Sequence, residues 1–174
     1  MNLPNSITLF RVVLIPFFIN LMIYGYYRAA LAVFVVACIT DALDGMIARL
    51  MKSKTDLGAF LDPMADKLLI VSAFVALVLL KMLPVWLAII VISRDVILVF
   101  GSIIVYFMQH NFTVQPSLIG KLTTVLQLLC VTLTLVQVDY GLELGLLHVL
   151  QWATAAVTVA SGMQYVSRGM KLAA

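Results

Sequence analysis

Six apolar runs, each near or above twenty residues, leave this chain few choices of fold. They cover residues 7–27, 29–51, 57–80, 84–109, 117–138 and 144–166. A helix rises about 1.5 Å per residue, so about 20 apolar residues cross the hydrocarbon core of a bilayer. Within lipid, a helix satisfies its own backbone polar groups. The 174 residues are 64% hydrophobic and only 11% charged. A water-soluble domain carries about 45–50% and about 25%. The expected fold is therefore an all-α integral membrane protein with six transmembrane helices, forming a single domain over residues 1–174. No internal repeat or low-complexity stretch divides it.

The polar opening Asn2-Leu3-Pro4-Asn5-Ser6 reads as a short N-terminal juxtamembrane segment, with Asn5 or Ser6 capping the first helix. The first run lacks a basic leader and a small-residue cleavage site, so it reads as a retained helix. A bilayer helix tolerates Pro16, and Arg11 is long enough to snorkel to the interface.

Lys and Arg set the orientation. Arg49, Lys52, Lys54, Arg168 and Lys171 fall on one side with Lys121 nearby, and Arg28 and Lys81 on the other. This asymmetry puts both termini in the cytoplasm. Tyr24, Tyr26, Tyr27 and Trp86 lie near outer helix ends as interface aromatics, and Trp152 reads as a deeper packing residue. The net charge of +3 is a topology signal and gives no reason to expect a nucleic-acid partner. Cys38 and Cys130 sit in apolar runs as small hydrophobes. His110 and His148 have no metal-ligand partner at useful spacing.

Against this apolar background, residues 41–66 stand apart. The chain has eight acidic residues, and four of them, Asp41, Asp44, Asp62 and Asp66, fall at helical spacing here. Asp41 and Asp44 are three apart near the end of the second helix, about 60° around its axis. Gly45 and Ala48 continue that face. Gly58, Asp62 and Asp66 step by four near the start of the third helix. A short link makes the two helices antiparallel neighbours, so both acidic faces can turn to one cavity. Asp62 and Asp66 lie about 8 and 14 Å along the axis from Leu57, so the cavity would open to the cytoplasm and reach acyl-chain depth.

Four carboxylates in low dielectric do not all ionise unaided, and divalent cations resolve the conflict. Hard oxygen ligands suit two ions of Mg²⁺ or Mn²⁺, the arrangement that grips a phosphoryl centre. Small Gly45, Ala48 and Gly58 serve helix packing or let a ligand approach the backbone. Arg49 is placed to pair with a phosphate or to act as a positive-inside residue. Capping explains Asp56, just before Leu57. It does not explain Asp62 and Asp66 inside a span, where ionisable residues are functional by default.

Read together, D-x2-D-G-x2-A-R-x8-G-x3-D-x3-D over residues 41–66 resembles the signature of the CDP-alcohol phosphotransferase family. Every fixed position is present. The resemblance extends over the chain, since that family also has six transmembrane helices with the motif on the second and third. It implies an enzyme that transfers a substituted phosphoryl group from a CDP-linked lipid to an alcohol and releases CMP, working as a homodimer with two metal ions. Carried over by position, Asp41, Asp44, Asp62 and Asp66 look like the metal ligands, and Asp66 also looks like the general base. Gly45, Ala48, Arg49 and Gly58 look like CDP-binding positions, joined by Asn5 and Thr8 from the opening segment. The expected location is the inner (cytoplasmic) membrane, multi-pass, with the active site facing the cytoplasm.

The opening Asn2–Arg11 is similar to the glycerophospholipid branch, which includes phosphatidylglycerophosphate synthases and CMP-forming cardiolipin synthases. The donor implied is CDP-diacylglycerol. Ile92-Ser93-Arg94-Asp95-Val96 and the stretch Gln115–Thr124 resemble the cardiolipin synthase side. Gly120 departs toward the other. The acceptor expected is phosphatidylglycerol, with glycerol 3-phosphate as the alternative. Arg94, Lys121 and Arg168 are placed to form a pocket for the phosphate either acceptor carries. Alternatively, Arg94 pairs with Asp95, and Lys121 and Arg168 are interfacial anchors.

A cation-coupled transporter is the rival reading for intramembrane acids. It would place them on both sides of the midplane, often in repeated halves. Here they cluster toward one side, without a repeat.

Overall fold

The computed structural model describes the backbone of residues 3–51, 56–108, 118–141 and 145–173, and the side chains of residues 10, 12–40, 67–101, 118–141 and 145–167. The six expected helices are all present: α1 (Leu3–Ile23), α2 (Tyr27–Met51), α3 (Asp56–Leu79), α4 (Val85–Met108), α5 (Leu118–Tyr140) and α6 (Gly145–Ala173). No strand occurs among the described residues.

The ends differ from the sequence reading in three places. Helix α1 begins at Leu3, which puts Asn5 and Ser6 inside the helix and not at its cap. Pro4 fits there because a first-turn residue has no intrahelical use for its N–H. The first apolar run stops at Ile23, where a three-residue turn separates it from α2. Helix α6 extends through the expected polar tail to Ala173, so Arg168 and Lys171 are helical positions.

Two of the turns follow one backbone pattern. After α1, Tyr26 N–H donates to Leu21 O and Gly25 N–H to Met22 O, with Gly25 at φ +77°. This left-handed closure satisfies the last carbonyls of the helix, and glycine adopts it without strain. After α3, Met82 N–H donates to Leu77 O and Lys81 N–H to Val78 O. The left-handed position there is Lys81, at φ +60°. A side chain in that region costs about 1–2 kcal/mol.

The helices form two compact units, Met1–Met82 with Val131–Glu143, and Leu83–Cys130 with Leu144–Ala174. In the first, α1 packs against both α2 and α3. Its interior is built from large apolar side chains: Phe18, Met22, Phe34, Leu69, Phe74 and Leu77 are fully buried. Phe18 and Phe34 meet with ring centroids 5.7 Å apart. At the edge of this unit Arg28 Nε donates to Asp139 Oδ2 at 2.7 Å, and the guanidinium lies 5.3 Å from the Tyr140 ring. The hydrogen bond to Asp139 raises the Arg28 pKa above its usual value.

In the second unit, α4 packs against α6, and the contacts advance together along both chains. Trp86 stacks on Trp152 at 4.8 Å, Arg94 reaches Ser161, and Gly101 faces Tyr165. The two helices therefore run parallel. A Cβ at Gly101 would lie 2.8 Å from Tyr165 Cε1, so glycine there admits the ring. Trp152 differs from its sequence reading: it packs on Trp86 but is 68% exposed. Position alone along α6 did not show that its outer face points away from the other helices.

Large apolar side chains lie on the outside of the helices as well as in their interior. Phe17, Leu79, Phe100, Leu118, Trp152 and Met163 all point outward, while Arg94, Gln127, Thr154, Thr158 and Ser161 are buried. Outward apolar side chains in this number suit a non-aqueous neighbour. Leu118–Tyr140 and Gly145–Ser167 are each long and apolar enough to cross a membrane. Val12–Ile23, Tyr27–Thr40 and Lys67–Leu79 are shorter apolar stretches within the described parts of α1, α2 and α3.

Candidate active site

The positions singled out between 41 and 66 lie on helical backbone. Helix α2 runs unbroken through 41, 44, 45, 48 and 49, and α3 through 58, 62 and 66. With 3.6 residues per turn, positions 41, 44, 45 and 48 share one face of α2, and 58, 62 and 66 share one face of α3. The side chains of Asp41, Asp44, Gly45, Ala48, Arg49, Gly58, Asp62 and Asp66 lie outside the described residues, as do those of Asn5 and Thr8. By residue type the two helices carry four carboxylates, two per helix, one helical turn apart. That is a hard oxygen set for divalent cations.

Placement of the helices adds a relation the motif does not contain. The short turn at residues 24–26 reverses the chain, so the start of α1 and the end of α2 lie at one end of the first unit. Only residues 52–55 separate α2 from α3. Since α1 packs on both, positions 5 and 8 belong to the same three-helix group as the acids. Thr40, just before Asp41, turns its hydroxyl back to Val36 O and Ala37 O, at 2.9 Å each.

The second unit holds the basic candidates. Arg94 is 6% exposed. Its Nη1 donates to Asp95 Oδ1 at 2.7 Å and its Nη2 to Ser161 Oγ at 2.9 Å. The Arg94–Asp95 pair, one of the two arrangements open in the sequence, is thus formed. The buried Nε has no hydrogen-bond partner among the described residues. Lys121 is exposed near the start of α5. The Arg168 side chain lies outside the described residues. Ser161 was not singled out from the sequence. Its only signal there is a small polar residue next to Gly162 in an apolar helix, a pattern that ordinary helix packing also produces.

Of the two histidines, His148 is exposed on α6 and His110 lies outside the described residues; Cys130 is buried and Cys38 half-buried. No group of three acidic, histidine or cysteine side chains that could hold a metal occurs among the described residues, which do not include the four aspartates.

The family model for CDP-alcohol phosphatidyltransferase matches residues 1–160. The chain belongs to the CDP-alcohol phosphatidyltransferase family. It is accordingly an enzyme, a phosphatidyltransferase, and the match covers both motif-bearing helices. Among curated relatives, a protein of Mycobacterium tuberculosis strain H37Rv named probable phosphatidylglycerophosphate synthase is 34% identical over 176 residues, 98% of this chain and 82% of that one. A Drosophila melanogaster protein named probable cardiolipin synthase (CMP-forming) is 34% identical over 183 residues, 95% of this chain and 57% of the fly protein. The Bacillus subtilis CDP-diacylglycerol–glycerol-3-phosphate 3-phosphatidyltransferase is 33% identical over 185 residues, 96% of this phosphatidyltransferase and 94% of its relative.

Proposed function

We propose that this phosphatidyltransferase moves the phosphatidyl group of CDP-diacylglycerol to the hydroxyl of a glycerol-type acceptor and releases CMP, in the synthesis of anionic phospholipids. The observation that carries the reading is the complete motif on unbroken helical backbone of α2 and α3, inside the family match. Phosphatidylglycerol is the favoured acceptor, supported by residues 92–96 and 115–124. Glycerol 3-phosphate is the second reading, favoured by Gly120 and by the names of the M. tuberculosis and B. subtilis relatives.

Asp41, Asp44, Asp62 and Asp66 hold two divalent cations, Mg²⁺ or Mn²⁺. When bound, these supply charge neutralisation for the diphosphate and for CMP as it leaves. Asn5, Thr8, Gly45, Ala48, Arg49 and Gly58 bind the CDP group. The small residues let it approach the backbone, and Arg49 pairs with phosphate. Asp66 takes the proton of the acceptor hydroxyl, whose oxygen attacks the β-phosphorus in line as the bond to CMP breaks. No enzyme residue is acylated or phosphorylated, so configuration at phosphorus inverts. Arg94, Lys121 and Arg168 bind the acceptor's phosphate.

The whole chain, residues 1–174, acts as one catalytic domain. It crosses the cell's inner membrane six times as a homodimer, with both termini and the active site toward the cytoplasm. The exposed apolar side chains and the apolar helices support the membrane reading.

Purified protein with CDP-diacylglycerol and Mg²⁺ or Mn²⁺, offered phosphatidylglycerol, glycerol 3-phosphate, inositol phosphate and serine in turn, tests this. CMP release is expected with one of the first two, and only when the metal is present. Release with neither overturns the acceptor class, and a trapped phosphatidyl-enzyme overturns direct displacement.

A further inference from the structure

The most constrained polar group in the described structure is the Arg94 guanidinium. It is buried, and its two terminal nitrogens are held from different directions: Nη1 by Asp95 on its own helix and Nη2 by Ser161 Oγ on α6. Ser161 is itself 3% exposed. Beside it, Gly162 offers no side chain, and a Cβ there would meet Arg94 Cγ at 3.6 Å, so the arginine stem lies against the α6 backbone.

Neutralising Arg94 needs only Asp95. The bond to Ser161 adds no charge. What it adds is a second fixed point, which sets the plane of the guanidinium. With Nη1 and Nη2 engaged, the Nε–H is buried and has no partner among the described residues. Ser161 accepts from Nη2 and retains its own O–H as a donor. Each terminal nitrogen also keeps a second N–H, so the pair retains three N–H donors on a cation and one O–H. A buried arginine with unused donors matches an anion with several acceptor oxygens, and a phosphate fits that geometry better than a single carbonyl does.

We propose that Ser161 is a positioning residue for the acceptor: it holds Arg94 in the orientation that receives the acceptor's phosphate. This rests on the reading of Arg94 as an acceptor-phosphate residue. Ser161 acts through Arg94 and takes no part in the transfer step itself.

The test is steady-state kinetics of the full-length enzyme with glycerol 3-phosphate and with phosphatidylglycerol, each varied at saturating CDP-diacylglycerol. Ser161→Ala is expected to raise the KM of the acceptor used about tenfold, the loss of one hydrogen bond to a charged group. The KM for CDP-diacylglycerol should not move. Ser161→Thr keeps the hydroxyl and should recover most of the loss. In an Arg94→Ala background, Ser161→Ala should add nothing.

If Arg94→Ala raises the acceptor KM but Ser161→Ala does not, the positioning role is overturned while the Arg94 reading stands. The positioning role also falls if Ser161→Ala shifts both substrates' KM values together, or if Ser161→Thr fails to rescue. If Arg94→Ala leaves the acceptor KM unchanged, the Arg94 reading itself falls, and Ser161 with it.

Discussion

The two units treat polarity in opposite ways. In the described part of the first, the interior is apolar, with Phe18, Met22, Phe34, Leu69, Phe74 and Leu77 at its centre and Thr134 as the buried polar residue. The second buries Arg94, Asp95, Thr123, Gln127, Gln151, Thr154, Thr158 and Ser161. Its threonines turn inward without orphaning their hydroxyls, because each donates to a carbonyl of its own helix: Thr123 to Ile119 O, Thr154 to Leu150 O and Thr158 to Thr154 O. The contrast separates two uses of a helix in an apolar medium. One unit has an apolar interior with the Arg28–Asp139 ion pair at its edge, and its acidic positions lie near the end where α2 finishes and α3 starts. The other carries polar groups along its length, where backbone carbonyls or a neighbouring helix must satisfy them.

Four substitutions bear on that contrast, in falling order of effect. Asp66→Asn should lower phosphatidyl transfer by a factor on the order of 10²–10⁴, the contribution of a general base. If the first unit is held by its apolar interior, the unfolding midpoint should barely change. Substantial remaining transfer, measured as CMP release, would remove Asp66 from the base role. Gly101→Ala comes next. Its methyl would force the Tyr165 ring away from α4, at a cost of about 1–3 kcal/mol as in other overpacked interiors. A second change, Tyr165→Ala, should cancel most of that cost in a double-mutant cycle. Additive losses would show that the close approach is not what glycine serves.

Gln127 tests the polar unit directly. It is fully buried, and neither amide atom has a partner among the described residues. Gln127→Leu should therefore be neutral or stabilising by about 1 kcal/mol, since it removes polar groups that cost free energy when unsatisfied. A clear loss in the unfolding midpoint would show that the amide is bonded in the folded enzyme. Lys81→Gly should have the smallest effect, a gain of about 1 kcal/mol from relief of the left-handed φ, partly offset by the greater freedom of glycine when unfolded. An unchanged midpoint would mean the Lys81 side chain compensates for its backbone.

Much of this was legible beforehand, and the reason is locality. The six helices follow from runs of apolar residues. The reaction class follows from the likeness of residues 41–66 to the family signature, whose fixed positions lie close together in sequence. Helix ends were less legible. Pro4 could open α1 as readily as Asn5 could cap it, and the polar residues after Val166 gave no sign that α6 continues through them. Arg94 illustrates the boundary within a single side chain. Its neighbour Asp95 was visible as the next residue, so that pair could be anticipated. Ser161 is 67 positions away.

From the sequence by itself came the all-helical, lipid-compatible character of this phosphatidyltransferase and the eight motif positions proposed to carry its chemistry. Apolar runs encode the first, the second rests on a likeness to the family signature, and neither needs a neighbouring helix. Tertiary structure alone decided that α1 lies on both motif-bearing helices, that α4 and α6 run parallel with Tyr165 over Gly101, and that Ser161 holds Arg94. Those relations depend on which faces pack, and packing compares surfaces far apart in the chain. The contacts between helices determine how Arg94, far from the motif in sequence, is held.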